Sequence, residues 1–276
     1  MQESSMLGTG KQYFTEAIQL TKNGNYDEAI GFYDKAINSL GNVYSLVSRV
    51  NFTINEWEFF DDITFCEKNI NSRCKNPNGF LALSLIFKIA KNDERRLKFL
   101  EQAIKLDNSN ARIWRDFGET AFYLGKINEA QQKFQEAISI DPQDSIAYEG
   151  LGLCYYYMDE PIKAINPLKK ALQFDKKNHV IMNHLAFILS EIGETDEAMA
   201  LITKALKLDS ENHIYMDTYA CILFLEEKYM ASLETFEKLL EKNPKDIDVS
   251  WDILSNLYEN LGMHAKAKSL ENKLQL

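Results

Sequence analysis

Through the middle of the chain, apolar side chains recur at steps of three, four and seven residues, and short polar links interrupt them. Ala130, Phe134 and Ala137 form one such stripe. This is the period of a helix with one buried face, and each stripe runs for about 14 residues before it breaks. The stripes themselves repeat. KINEAQQKFQEAISIDP, EPIKAINPLKKALQFDK and ETDEAMALITKALKLDS begin at Lys126, Glu160 and Glu194, a step of 34 residues each time. An alanine recurs at Ala130, Ala164 and Ala198, and a second at Ala137, Ala171 and Ala205. Upstream, Gly118, Gly152 and Ala186 keep the same step. A small residue at a helix crossing lets two backbones approach closely. A link as short as Gly125-Lys126 forces the flanking helices antiparallel. Asp141-Pro142 and Asn243-Pro244 should close the second helix of their pairs, because the residue before a proline avoids the helical region. The pattern predicts an all-α protein of about sixteen helices in stacked antiparallel pairs.

Residues 111–144 carry Trp114, Phe117, Gly118, Ala130, Phe134, Ala137 and Pro142 at the spacing of one known repeat. Residues 145–178 carry Tyr148, Leu151, Gly152, Tyr155, Ala164 and Ala171 there, and residues 179–212 carry Leu185, Ala186, Gly193, Ala198 and Ala205. On these residues the chain resembles the tetratricopeptide repeat family. The resemblance extends with less fidelity to both sides. Residues 213–247 keep Tyr219, Ala220, Phe236 and Pro244 but place Ser232 and Leu239 where the alanines belong. The unit from Asp248 keeps Trp251, Leu254, Tyr258, Gly262 and Ala267, and its last helix, rich in charge and amide, should cap the array. Residues 77–110 keep Ala103 but place Arg96 at the first alanine. Residues 44–76 diverge most, with Asn51, Ile63 and Ile70 at the small places, and residues 10–43 recover Ala17, Tyr26, Ala29, Tyr33 and Ala36. The implied fold is a right-handed α-solenoid superhelix: a polar extension over 1–9, then one solenoid over 10–276 whose first helix opens at Lys11 and whose last unit, 248–276, is truncated.

The implied function is a protein–protein adaptor or scaffold that holds a peptide or protein segment in its concave groove. The alternative is a self-assembling scaffold that joins copies through end or convex surfaces. In this family the groove is lined by first-helix residues at places two, five, nine and twelve of each unit. That implies Arg112, Arg115, Glu119 and Phe122 in one unit, and Glu149, Leu153 and Tyr156 in the next. Asn183 and Phe187 follow, then Asp217, Cys221 and Phe224, then Asp252 and Asn256. The Lys/Asn/Arg clamp with which some members hold a C-terminal carboxylate is not found. Places five and nine hold Phe14 and Ile18, Ser48 and Phe52, and Leu81 and Leu85, while Glu119 should neutralise Arg115.

Composition narrows the partner. With 45% hydrophobic and 26% charged residues the chain has material for a large core. A net charge of −10 argues against nucleic acid. The charge is uneven, with twelve carboxylates against four lysines between Asp209 and Asn260. A partner of the last three units should therefore carry basic and apolar residues. No apolar run approaches a membrane span, and MQESSMLGTGK lacks the basic start and apolar stretch of a signal peptide, so a cytoplasmic protein is expected.

Chemistry finds little footing. Cys66, Cys74, Cys154 and Cys221 form no CxxC, and His179, His184, His213 and His264 form no i, i+4 pair. Neither a zinc site, nor a disulfide framework, nor a nucleophile is implied, and no metal, cofactor or catalysis is expected. GTGK at Gly8–Lys11 lacks the rest of a phosphate loop, and Gly150-Leu151-Gly152 lacks the third glycine of a dinucleotide loop, Gly152 being explained by close packing. Asn51-Phe52-Thr53 is a glycosylation acceptor by chance. Trp57, Phe59 and Phe60 should cluster between the helices of the divergent unit.

Overall fold

The computed structural model describes residues 2–39, 59–73, 75–242 and 249–274. The chain forms two compact units, Met1–Met158 and Asp159–Leu276. Unit 1 holds α1 (Gln2–Lys22), α2 (Tyr26–Ser39), α3 (Phe60–Arg73), α4 (Pro77–Ile89), α5 (Asp93–Leu106), α6 (Ala111–Tyr123), α7 (Ile127–Ile140) and α8 (Ser145–Tyr157). Unit 2 holds α9 (Pro161–Phe174), α10 (His179–Glu191), α11 (Thr195–Leu208), α12 (His213–Leu225), α13 (Tyr229–Lys242), α14 (Trp251–Asn260) and α15 (His264–Leu274). Among the described residues the regular structure is entirely helical. Consecutive helices pack on each other as pairs, α1 on α2, α4 on α5, α6 on α7, α10 on α11 and α12 on α13.

The period has a local cause at each helix start. α4, α6, α8, α10 and α12 are preceded by Asn76, Asn110, Asp144, Asn178 and Asn212, and every one of these side chains accepts from a backbone N–H of the first turn. Such a cap contributes about 1 kcal/mol and fixes where the helix begins. The turn inside each pair is equally regular. Lys126 N–H bonds Ala121 C=O at 2.9 Å, and Glu194 to Leu189 and Lys228 to Leu223 do the same at 2.9 Å. This six-to-one closure needs one residue in the left-handed region. Gly125 and Gly193 supply it with φ of 74° and 86°, whereas Lys91, Asp159 and Glu227 adopt φ of 54°, 61° and 60° against their own side chains. Glu227→Gly should therefore raise stability by about 0.5–1 kcal/mol, after the extra freedom of the unfolded glycine is discounted. An unchanged urea midpoint would show that the turn is not strained.

The paired alanines lie at the helix contacts. Ala130, Ala137, Ala164, Ala171, Ala198 and Ala205 are all fully buried. Ser232, at an alanine place, donates its hydroxyl to Ala220 C=O at 2.8 Å, which satisfies a polar group buried there. In unit 1, Tyr33 is buried and its hydroxyl lies 2.9 Å from Thr21 Oγ1. Thr21 donates to Ala17 C=O, so Tyr33 is the donor of that pair. Burial raises the Tyr33 pKa well above its ordinary value.

One local expectation changes. α1 begins at Gln2 rather than Lys11, so the segment assigned as a polar extension is the first part of a 21-residue helix. Phe59 stands edge-on to Phe14, centroids 5.0 Å apart, in the core that α1 supplies, and Phe60 is exposed. Trp57, Ser48, Asn51, Phe52, Cys74 and Asn243-Pro244 lie outside the described residues.

Candidate protein-binding surface

In unit 1 the predicted wall is built around charge. Arg96, on α5, is fully buried where other units have their first alanine, and its Nη2 donates to Glu119 Oε2 at 2.6 Å. Lys88, in the last turn of α4, donates to both oxygens of the same carboxylate at 2.9 and 2.8 Å. Burial alone would raise the Glu119 pKa, but Lys88 and Arg96 outweigh it and hold it at about 2. Burial lowers the Lys88 pKa in spite of Glu119.

One turn earlier on α6, Asp116 is likewise held low against its burial, by Arg115 and Arg112. Arg112 also forks onto Asp34 at 2.9 and 2.6 Å. Arg115 reaches Asp144, the cap of α8, at 3.1 Å. Arg115 is neutralised chiefly by Asp116 and Asp144, which stand beside it, and only in smaller part by Glu119, which faces the two cations of α4 and α5. All four cations are occupied internally, and this wall offers no free clamp. Phe14, Ile18, Leu81 and Leu85 are buried as well.

Several residues expected to line the groove lie inside the packing. Phe122, Glu149 and Leu153 are buried, as are Glu119 and Asn183. Tyr156 is half-buried, edge-on to exposed Tyr157 at 5.6 Å. Tyr155 packs on the unit 1 core.

Unit 2 has a different wall. Its helices α10, α12 and α14 contain neither lysine nor arginine, and the carboxylates there are Glu191, Asp217, Asp252 and Glu259. The helical lysines of the unit lie instead on α9, α11, α13 and α15. Phe187, Cys221 and Phe224 are half-buried, and Asp252 and Asn256 are exposed. Asp217 is not a loose surface charge: Oδ1 accepts from Ser250 N–H at 2.9 Å and Oδ2 from Ser250 Oγ at 2.7 Å, which ties α12 to the start of α14. The free thiols of Cys66 and Cys154 are buried. Burial pushes each of them, and Cys221, up to about 12. No group of three or more His, Cys, Asp and Glu among the described residues is placed to hold a metal ion, and no helix there is long and apolar enough to cross a membrane.

Antiparallel helix pairs on a 34-residue step, with paired alanines at their contacts, define an all-helical repeat protein. Family profiles described as TPR repeat and tetratricopeptide repeat match residues 118–159 and 180–212. Residues 118–159 and 180–212 are thus tetratricopeptide repeats, and a general role in protein–protein interaction or scaffolding follows from them. Solved structures agree on the fold. PilF of Pseudomonas aeruginosa gives a TM-score of 0.59 at 16% identity, over 88% of this chain and 95% of that one. A tetratricopeptide repeat protein of Parabacteroides merdae gives 0.60 at 18%, over 72% and 78%. YrrB, described as a TPR protein with an unusual peptide-binding site, gives 0.54 at 18%, over 66% and 93%. No curated protein matches the chain.

Proposed function

We propose that the chain is an adaptor that docks a protein segment on the first-helix wall of unit 2. The observation that carries the reading is the pair Phe187 and Phe224, large rings left half-buried on α10 and α12, Phe187 standing out on a helix whose other apolar residues are buried. Rings of this kind, accessible but held by their surroundings, are the usual anchors of an interface. Cys221 and Asn256 share the register place of Phe187 in the following units, and Asp252 adds charge beside them. YrrB, similar in fold, is described by a peptide-binding site, which accords with the reading. In unit 1, Tyr156 is the accessible residue of that unit's own first-helix wall, while Arg112, Arg115, Glu119, Phe122, Glu149 and Leu153 shape it from within.

A photo-cross-linking side chain placed at 187 or 224 of the full chain should give adducts with another protein in native lysate. The same group at 162, where Ile162 is 74% exposed on α9, should give none. Equal yields at all three positions would remove the wall from consideration. A second reading, self-assembly, is favoured by Ile162 and Met230, apolar and 74% and 67% exposed. It predicts adducts of the chain with itself and light scattering that rises with concentration.

A further inference from the structure

The second helices of unit 2 present a face of their own. α9, α11 and α13 are each 14 residues long. Lys169 Nζ on α9 lies 2.9 Å from Glu197 Oε2 on α11, and α11 and α13 both pack on α12, so the three helices stand side by side. Two 34-residue steps separate equivalent places on α9 and α13. At one such place stand Ile162 and Met230, 74% and 67% exposed, the most exposed large apolar side chains among the described residues.

A lone exposed apolar residue is ordinary on a protein surface. The charge beside this pair sets it apart. From Ile162, steps of four, three and four residues reach Asn166, Lys169 and Gln173. The same steps from Met230 reach Glu234, Glu237 and Glu241. All six are exposed, and each set forms one stripe with its apolar residue. α9 holds three lysines and no carboxylate. Lys169, Glu234 and Glu237 have ion-pair partners in Glu197, Lys238 and Lys266. Exposed pairs of this kind contribute at most about 1 kcal/mol, so they do not withhold these charges from a partner.

We propose that unit 2 pairs with the same unit of a second copy through these second helices. A two-fold axis lying along α11 sets α9 of one copy on α13 of the other, parallel and in register. Ile162 then meets the partner's Met230, and Lys169 meets the partner's Glu237, and by symmetry each contact is made twice. The face is complementary to itself only in this arrangement, since α9 on α9 would set lysine on lysine and α13 on α13 glutamate on glutamate. On the axis Asp196 meets its own copy, a cost that solvent and salt keep small because it is exposed. Three helices of this length, about 10 Å apart, cover about 600 Å² per copy, or about 1,200 Å² in all, the small end of a specific interface. The inference rests on the self-assembly reading above and names its surface. Phe187 and Phe224 stand on other helices and take no part in it.

The test is sedimentation velocity of the full chain from about 1 to about 100 μM, the range in which an interface of this area associates. The 31.8 kDa chain should convert to a species of twice that mass and to nothing larger, because a two-fold contact closes on itself. Lys169→Glu and Glu237→Lys should each weaken the dimer about tenfold, since each sets two like-charged pairs face to face. Mixed one to one, the two variants should associate to within about threefold of the parent, because every facing pair in the mixed dimer again has opposite signs. Ile162→Asp should weaken the dimer at least about tenfold. All three positions are exposed, so the variants are expected to fold, and a circular dichroism melt checks that they do. A chain that stays monomeric over the whole range overturns both this inference and the self-assembly reading. Association indifferent to all three substitutions keeps self-assembly and overturns this surface. A mixture that associates no better than either variant alone overturns the facing of Lys169 and Glu237, and the inference with it.

Discussion

Glu119→Ala should cost about 3–5 kcal/mol, because it strips the anion from two cations that cannot reach water together. Arg96 is fully buried and Lys88 nearly so, and both lean on this one carboxylate. Intact buried ion pairs are weak sources of stability, but half of one is a strong source of instability. Adding Arg96→Ala should recover part of the loss, since it restores the alanine that stands at this place in neighbouring repeats and leaves Lys88 to extend its stem toward solvent. A double variant as unstable as the sum of its parts would mean that the two side chains do not depend on each other.

The same carboxylate sets an acid limb. Its folded pKa, about 2, lies below the ordinary 4.5, so its contribution is fully present above about pH 4.5 and is lost as pH falls toward about 2. Glu119→Gln should flatten the loss of stability across that window relative to the parent. Urea midpoints at a series of pH values measure it.

Gly150→Ala should destabilise unit 1 by about 1–3 kcal/mol, against a helix-propensity gain of about 1 kcal/mol. A Cβ at Gly150 would stand 2.3 Å from Phe134 Cζ and 2.5 Å from Cε1. The ring has little room to retreat, because it is fully buried and a Cβ at Gly118 would also stand 2.9 Å from its Cδ1. Gly31→Ala is the matched control. Gly31 is an exposed helical glycine on α2 with nothing within 4 Å of that position, and the change there should stabilise by about 0.5–1 kcal/mol. Phe134→Leu should relieve much of the Gly150→Ala loss. If the two glycine variants shift the melt in the same direction, packing against Phe134 is not what decides.

The sequence displays its helices because a buried helical stripe must be apolar, and the paired alanines mark contacts that only a small side chain permits. It displays the array less completely than it could. The Asx residues at 76, 110, 144, 178 and 212 keep the 34-residue step and end in a capping bond, so helix starts were readable from them alone. The wall was harder to read. Register gives the direction of Glu119, Glu149 and Leu153 but not their depth, which depends on the neighbouring helices. Arg96 looks like a lapse in the repeat until its partner, 23 residues away, is seen beside it. Charge pairing across repeats follows no period. Gly150 was hidden for a related reason: two places on, Gly152 fits the repeat and accounts for a small residue, whereas the ring of Phe134 lies against Gly150.

The two raised thiols give the chain an internal pair of reporters. A thiol with a pKa near 12 is ionised to only about one part in ten thousand at pH 8, and the thiolate is the species that reacts with alkylating reagents. Modification of Cys154, which is buried, therefore proceeds through transient opening of unit 1, whereas half-buried Cys221 reacts slowly where it stands. With Cys66 and Cys74 replaced by serine, the rate at Cys154 would measure how often unit 1 opens, and a partner seated on the first-helix wall of unit 2 would slow the labelling of Cys221 while leaving that of Cys154 unchanged.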